Sequence, residues 1–176
     1  MNIRSTDTDD FKLVYESNYS LLVQVVFHIV SSLDTAEDLV QETFERFYIK
    51  NMDFPSPDDA RYWLLRVAKN LALNQAKKEK RNHNLAKKVS SMEDVSSSSS
   101  AEDDLIASEN VESVKRILSL LPEALRIPLI LKEYSDLDYK AIGKVLGISE
   151  GNVKVRIFRA RKKVRNLLEE EKDALY

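Results

Sequence analysis

The residues best equipped for chemistry lie between Lys154 and Arg165, where Lys154, Arg156, Arg159, Arg161, Lys162 and Arg165 share one stretch with Phe158. Guanidinium and ammonium groups donate to the acceptors of guanine and to phosphate oxygens, and an aromatic edge can meet a thymine methyl. Lys154 and Arg159 suit guanine, Phe158 suits thymine, and Arg161, Lys162 and Arg165 suit the phosphate backbone. Few acids are interleaved to pair with these cations, so a solvated surface helix is the weaker reading. A second basic cluster runs from Arg61 through Arg66, Lys69, Lys77, Lys78, Lys80 and Arg81 to Lys88, with Glu79 its one acid. Its chemistry is phosphate neutralisation with counterion release, an affinity that falls as salt rises. Catalytic chemistry has no such footing. The chain has no Gly-rich phosphate loop, no His–Glu metal spacing and no nucleophile motif, and His28 and His83 are isolated. A non-enzyme without metal or organic cofactor is expected.

Presenting cations to a DNA groove takes a helix, and the surrounding residues provide one. Tyr139–Leu146 reads as a short helix ending at Gly147, a residue fitted to the left-handed turn at a helix C-terminus. Ile148 is apolar inside the turn, and Ser149 can cap the helix that follows. Val153, Ile157, Ala160, Val164 and Leu168 then share one face and leave the cations on the rest. Such a helix-turn-helix has its second helix built for the major groove. Upstream, Leu105–Leu120 is periodic and stops at Pro122, and Glu123–Tyr134 forms another helix.

The first basic cluster needs its own support. Asp9 to about Ser31 reads as one amphipathic helix carrying Phe11, Val14, Tyr15, Leu22, Val25, Val26 and Ile29. Asp34 or Thr35 can cap a second, in which Leu39, Val40, Phe44, Phe47 and Tyr48 face inward. Asn51–Asp59, with Pro55 and Pro57, must form a loop. A third helix follows from about Asp59, burying Trp63, Leu64, Val67, Ala68 and Leu71, and its C-terminal end becomes the basic run, where cations suit the helix dipole. The two modules are separated by Val89–Asp104, a serine run flanked by acids that cannot bury enough apolar surface to order itself and reads as a flexible linker.

Composition agrees with two small helical domains. In 176 residues there are only 3 Gly and 4 Pro, which favours helix, and no Cys, which excludes disulfides and thiolate metal sites. A net charge of −2 would argue against nucleic-acid binding if the charges were mixed. They are segregated instead: residues 34–59 and 93–112 are acidic, while 61–88 and 154–165 are basic. Separate surfaces for separate partners follow. The polar start MNIRSTDTDD is unlike a secretory signal, and Leu21–Val30 is too short to span a bilayer. A soluble, cytoplasmic protein without membrane insertion is expected.

Three stretches resemble one family. Ala36–Phe44 (AEDLVQETF) is similar to the second conserved region of extracytoplasmic-function sigma factors of the sigma-70 family. Trp63–Asn74 (WLLRVAKNLALN) resembles their promoter-melting helix, and Leu121–Leu168, from LPEALRIPLIL through GISEGNVKVRIFRARKKVRNLL, their fourth region. The resemblance implies an all-α chain divided into region 2 at 8–88, a linker at 89–104, region 4 at 105–169 and a tail at 170–176. It implies that Asp38, Gln41 and Glu42, at i, i+3 and i+4 on one face, dock on a coiled coil of the polymerase's largest subunit. The loop Met52–Asp59, with Phe54, matches a pocket for a base flipped out of the minus-ten element, flanked by Asn70 and Asn74. Arg66, Lys69, Lys77 and Arg81 would grip the same DNA. Lys154, Val155, Phe158 and Arg159 match positions that read the minus-thirty-five element, with Arg161 and Lys162 beside them. Asp138 stands where Ser is common and Gly143 where Ala is common, the latter at a helix-propensity cost of about 1 kcal/mol unless packing needs it.

The partners so implied are core RNA polymerase, promoter DNA and an anti-sigma factor, often membrane-bound, that clamps both domains. No small-molecule substrate is implied. A conventional helix-turn-helix regulator, binding duplex DNA without polymerase, is the alternative, but it predicts a receiver or ligand pocket upstream, where no strand pattern exists. A decoy that sequesters another regulator would need neither basic surface.

Overall fold

In the computed structural model, which describes residues 2–89 and 105–173, helix boundaries follow the side chains able to satisfy free backbone groups. Asp7 accepts from the N–H groups of Asp9 and Asp10 and starts α1 (Thr8–Val30). Ser31, left-handed at φ 64°, donates its N–H to the Phe27 carbonyl at 2.7 Å and closes that helix. Ser32, rather than Asp34 or Thr35, caps α2 (Leu33–Lys50), its hydroxyl accepting from the Thr35 N–H. Ser56 caps α3 (Pro57–Val89): its Oγ accepts from the Asp59 N–H at 3.2 Å and donates to the Asp59 carboxylate at 2.7 Å. Pro57 therefore occupies the first helical position, where its missing N–H costs nothing.

The expected loop at 51–59 contains a strand. β2 (Asp53–Phe54) pairs antiparallel with β1 (Ile3–Arg4), Phe54 opposite Ile3. Ser5 extends the contact: its N–H donates to the Met52 carbonyl at 2.9 Å, and its Oγ accepts from the Met52 N–H at 2.8 Å. The polar N-terminal tip thus contributes Ile3 to the core, a placement that two-residue strands give no periodicity to reveal.

Val14, Leu22, Val25 and Val26 of α1 are buried against Val40, Phe44 and Phe47 of α2 and Leu64, Leu65 and Ala68 of α3. Although α1 has the length and hydropathy to cross a bilayer, its apolar face is spent on this core. Tyr48, expected inward, is exposed. Helix α3 runs 33 residues without Gly or Pro after its first turn, so it passes the expected end and takes in Val89. The rest of the expected linker, 90–104, lies outside the described residues.

In the C-terminal module α4 (Leu105–Ser119) and α5 (Glu123–Tyr134) precede the helix-turn-helix, α6 (Tyr139–Leu146) and α7 (Glu150–Asp173). α7 runs on through 170–173, where a separate tail was expected. Asp138 caps α6, accepting from the Ala141 N–H at 2.7 Å, so the acid does the work of a capping serine. Gly147 is left-handed at φ 69°, and Ser149 caps α7 through the Asn152 N–H. Val153, Ile157 and Ala160 are buried beneath α7. The two modules touch, α1 against α5 and α3 against α6.

Gly143 is explained by this packing. A Cβ there would stand 2.7 Å from the Ile148 carbonyl oxygen, while Gly143 itself accepts the Ile148 N–H at 3.1 Å. Gly151 in α7 has open space around it. Gly151→Ala should therefore raise stability, by up to about 1 kcal/mol from helix propensity alone. Gly143→Ala should lower it by about 1–3 kcal/mol as the turn is forced away. Urea denaturation of both variants checks this, and equal stabilisation by both would rule out the close approach.

Candidate nucleic-acid and docking interface

On α7, Lys154, Val155, Phe158, Arg159 and Lys162 recur at helical spacing and are all exposed. Phe158 is 67% exposed and Val155 47%. Large apolar groups left in water on an otherwise cationic helix have no packing role, and they suit contact with base edges. Lys154 pairs with Glu150 at 2.7 Å, which holds its ammonium above the ordinary lysine range. Arg161 pairs with Glu133 of α5 at 2.8 Å. Acids do therefore reach these cations, contrary to the pattern read in the sequence. Exposed pairs of this kind are worth little and yield readily to phosphate.

On α3, Asn70, Asn74, Lys77 and Arg81 are exposed, and Asn74, Lys77, Lys80, Arg81 and Asn84 surround an open cavity of about 500 Å³. Two expected members of this surface turn elsewhere. Arg66 donates to the Lys144 carbonyl of α6, and Lys69 is half-buried beside α5, burial lowering its ammonium below the ordinary range. Phe54, expected to line a pocket for a flipped base, belongs to the core. It is only 6% exposed, its ring stacked on Phe47 at 5.4 Å and edge-on to Trp63 at 6.2 Å. An aromatic on a two-residue strand fills the bundle because its partner strand orients it inward. Trp63 likewise packs on Phe47.

On α2, Asp38 and Gln41 are exposed, whereas Glu42 is half-buried and bound by Arg46 at 2.7 Å. Asp38 and Gln41 edge a groove of about 740 Å³ between α1 and α2, together with Phe11, Tyr15, Tyr19, Phe44, Tyr48 and Ile49 and the acids Glu37 and Glu45. Tyr15 lies 4.7 Å from Phe44 and 5.2 Å from Tyr19. Burial, then the charge of Glu37, raises the Tyr19 phenol above its ordinary range. The aromatic wall was missed in the sequence because Tyr15 and Tyr48 fit an inward stripe. Its signal was there: Glu37, Gln41, Phe44 and Tyr48 form one i, i+4, i+7, i+11 row. Ile49, 78% exposed, extends the row's apolar edge.

Between the modules His28 stacks on Tyr134 with ring centroids 3.8 Å apart. Burial, then Lys115, lowers the imidazole below its ordinary range. Among the described residues no group of His, Cys, Asp and Glu is arranged to hold a metal ion.

Comparison with known proteins gives a consistent picture. The family description "Sigma-70 region 2" matches residues 14–82, and "Sigma-70, region 4" matches residues 112–164. The ECF RNA polymerase sigma-E factor of Escherichia coli (strain K12) is 30% identical over 172 residues, which cover 93% of this chain and 89% of that protein. The ECF RNA polymerase sigma factor SigW of Bacillus subtilis (strain 168) is 27% identical over 173 residues, covering 94% and 92%. Among solved structures, CnrH in complex with the cytosolic domain of CnrY shares the fold with a TM-score of 0.72 at 22% identity, covering 94% of this chain and 92% of that one. The sigma factor RpoE in complex with the anti-sigma factor NepR from Bartonella quintana does so with a TM-score of 0.66 at 24% identity, covering 92% and 98%.

Two phenylalanines separate core from surface. Phe54→Ala should cost about 3 kcal/mol of stability, as expected of a buried ring. Phe158→Ala should stay within about 0.5 kcal/mol of the parent. Thermal unfolding of both variants is the check, and the opposite order would place Phe54 on the surface.

Proposed function

We propose that this chain, which belongs to the extracytoplasmic-function (ECF) sigma factors of the sigma-70 family, selects promoters with two helices and holds polymerase with a third surface. The family membership makes it an RNA polymerase sigma factor that binds core polymerase and directs transcription initiation at specific promoters. The phosphodiester chemistry belongs to the polymerase, so no catalytic group is asked of this chain. The residue assignments are our own reading.

Asp38 and Gln41, with the aromatic groove behind them, dock on the coiled coil of the largest subunit. Glu42 supports that face through Arg46. The groove combines ring faces with carboxylates, a lining suited to an arginine or lysine on an amphipathic partner helix. Region 2, residues 8–88, uses α3 on the minus-ten element. Asn70 and Asn74 offer donor and acceptor together, which suits a base removed from the stack. Unstacking costs a few kcal/mol, to be offset by the grip of Lys77 and Arg81 on phosphates. Region 4, residues 105–169, uses α7 on the minus-thirty-five element: Lys154, Val155, Phe158 and Arg159 toward bases, Arg161 and Lys162 toward the backbone.

The observation that carries this reading is the exposure of Val155 and Phe158 on a capped cationic helix, in a chain that also bears an acidic aromatic groove. A conventional regulator would use the first and has no call for the second. The RpoE relative is bound to an anti-sigma factor, and we assign the same class of partner here. The working compartment is then the cytoplasm, at the membrane while such an inhibitor is membrane-bound.

Run-off transcription on sheared genomic DNA, with purified chain and bacterial core polymerase, tests the reading. Discrete starts sharing two upstream elements are expected. Lys154→Ala with Arg159→Ala should reduce them at least about tenfold, since each good base contact is worth about 1–3 kcal/mol. Asp38→Lys with Tyr48→Ala should abolish co-purification with core. Duplex binding by the chain alone, without core-dependent starts, would establish the conventional regulator instead.

A further inference from the structure

We propose that α3 reads promoter DNA beyond the minus-ten element: its projecting end enters the major groove of the adjacent upstream duplex, where Asn84 and Leu85 recognise adenine–thymine pairs and Arg81 holds a phosphate. This rests on the assignment of α3 to minus-ten DNA and extends that surface to Asn84 and Leu85.

Helix α3 outruns the core it packs on. Among its described side chains the last one buried is Ala72, yet the helix continues to Val89. Every residue from Lys77 to Leu85 is exposed, on all sides of the helix, and of these Lys77 is the one that α5 reaches, through Glu123 at 3.6 Å. A bare helix is about 10–12 Å across, and the major groove of DNA is about 12 Å wide. The cations of this stretch are not explained by the helix dipole. Lys77 and Arg81 lie two turns or more before Val89, whereas the dipole acts within the last turn.

These exposed residues are sorted by face. Asn70, Asn74, Lys77, Arg81 and Asn84 step alternately by four and three positions, so they form one row along one side. Leu85, four positions after Arg81, flanks the row. Glu79, the acid of the run, lies across the helix and accepts a hydrogen bond from Gln75 at 2.8 Å. The far half of the row borders the open cavity of about 500 Å³, whose walls are Asn74, Lys77, Lys80, Arg81 and Asn84. Amides and cations without an acid suit phosphates and base edges together.

At about 1.5 Å of rise per residue, Asn84 stands about 15 Å beyond Asn74, the length of about four base pairs. The module assigned to the minus-thirty-five element follows α3 in the chain, so this end of the helix points upstream of the minus-ten element. The chemistry there divides as it does on α7. An asparagine amide matches the N6 and N7 edge of adenine with two hydrogen bonds, and an apolar side chain meets the thymine methyl. A guanidinium forks onto phosphate. Leu85 is 61% exposed on a cationic helix, the arrangement that Val155 and Phe158 show on α7.

The test uses holoenzyme, formed from the whole chain and bacterial core polymerase. Its template is the mapped promoter with the duplex just upstream of the minus-ten element randomised, each copy carrying a transcribed barcode. The parent should favour A·T over G·C pairs in that window by about tenfold. Asn84→Ala should lose the preference at one position and Leu85→Ala at a neighbouring one, with preferences inside both promoter elements unchanged. Asn84→Arg should transfer the preference from adenine to guanine at the same position, a gain that a damaged helix could not give. Asn82→Ala, exposed and turned away from the row, should behave as the parent. The proposal is overturned if the parent shows no base preference in the window, or if its preference survives both Asn84→Ala and Leu85→Ala. A loss of yield in these variants that is equal on every template would mark contact with phosphate alone and overturn the base reading. In each of those cases the preferences within the two elements persist and the sigma reading stands. Absence of core-dependent starts from the parent would instead remove the sigma reading, and the upstream contact with it.

Discussion

The ring of Phe47 holds the N-terminal module together. It is fully buried and meets Phe11 of α1 at 6.2 Å, Phe54 of β2 at 5.4 Å and Trp63 of α3 at 5.8 Å. One side chain thereby fixes three elements around α2, and offset and tilted ring pairs add to what area burial alone provides. The groove on α2 and the DNA-facing side of α3 are positioned from this common centre. Phe44, one turn earlier, serves both purposes: it is buried, and its ring forms part of the groove wall. Changing the core beneath would move the docking face above it.

The helix-turn-helix obeys a different constraint, the distance between backbones. The Ile148 carbonyl lies over α6 so closely that the turn leaves no room for a Cβ at position 143. Gly147 supplies the left-handed residue, and Asp138 and Ser149 bound the two helices. The angle at which α7 leaves the turn is set by these few residues. The exposed row on α7 is aimed by them, since the buried Val153, Ile157 and Ala160 fix the helix rotation.

Much of this could be read from residue order, and the misses share a cause. The helices Glu123–Tyr134 and Tyr139–Leu146 have the bounds that periodicity and punctuation predict, because Pro122, Asp138 and Gly147 stop them sharply. The cap of α2 fell two or three residues earlier than predicted because Ser31 and Ser32 make the whole connection by themselves. Two-residue strands carry no period, so the pairing of Ile3 with Phe54 was invisible, and with it the burial of Phe54. Tyr15 and Tyr48 matched a core stripe yet line an open groove, since a helix pattern fixes which residues share a face and not how far the neighbouring helix covers it. Contacts between modules, such as Arg66 with the Lys144 carbonyl, depend on tertiary placement that no local pattern encodes.

The far half of α3 behaves as a polyelectrolyte as much as a piece of a bundle. From Lys77 to Leu85 its residues are exposed, so packing does not hold them helical. Their composition favours helix, and Gln75 bonds to Glu79 at 2.8 Å. Against this, Lys77, Lys80 and Arg81 lie three and four positions apart, where like charges repel and weaken a helix by about 0.2–0.5 kcal/mol per pair. Glu79 within the run and Glu123 of α5, 3.6 Å from Lys77, offset only part of that charge. A phosphate chain laid along the segment would offset the remaining repulsion, and salt would do part of the same work without any DNA present. The nucleic acid then stabilises the very surface that binds it.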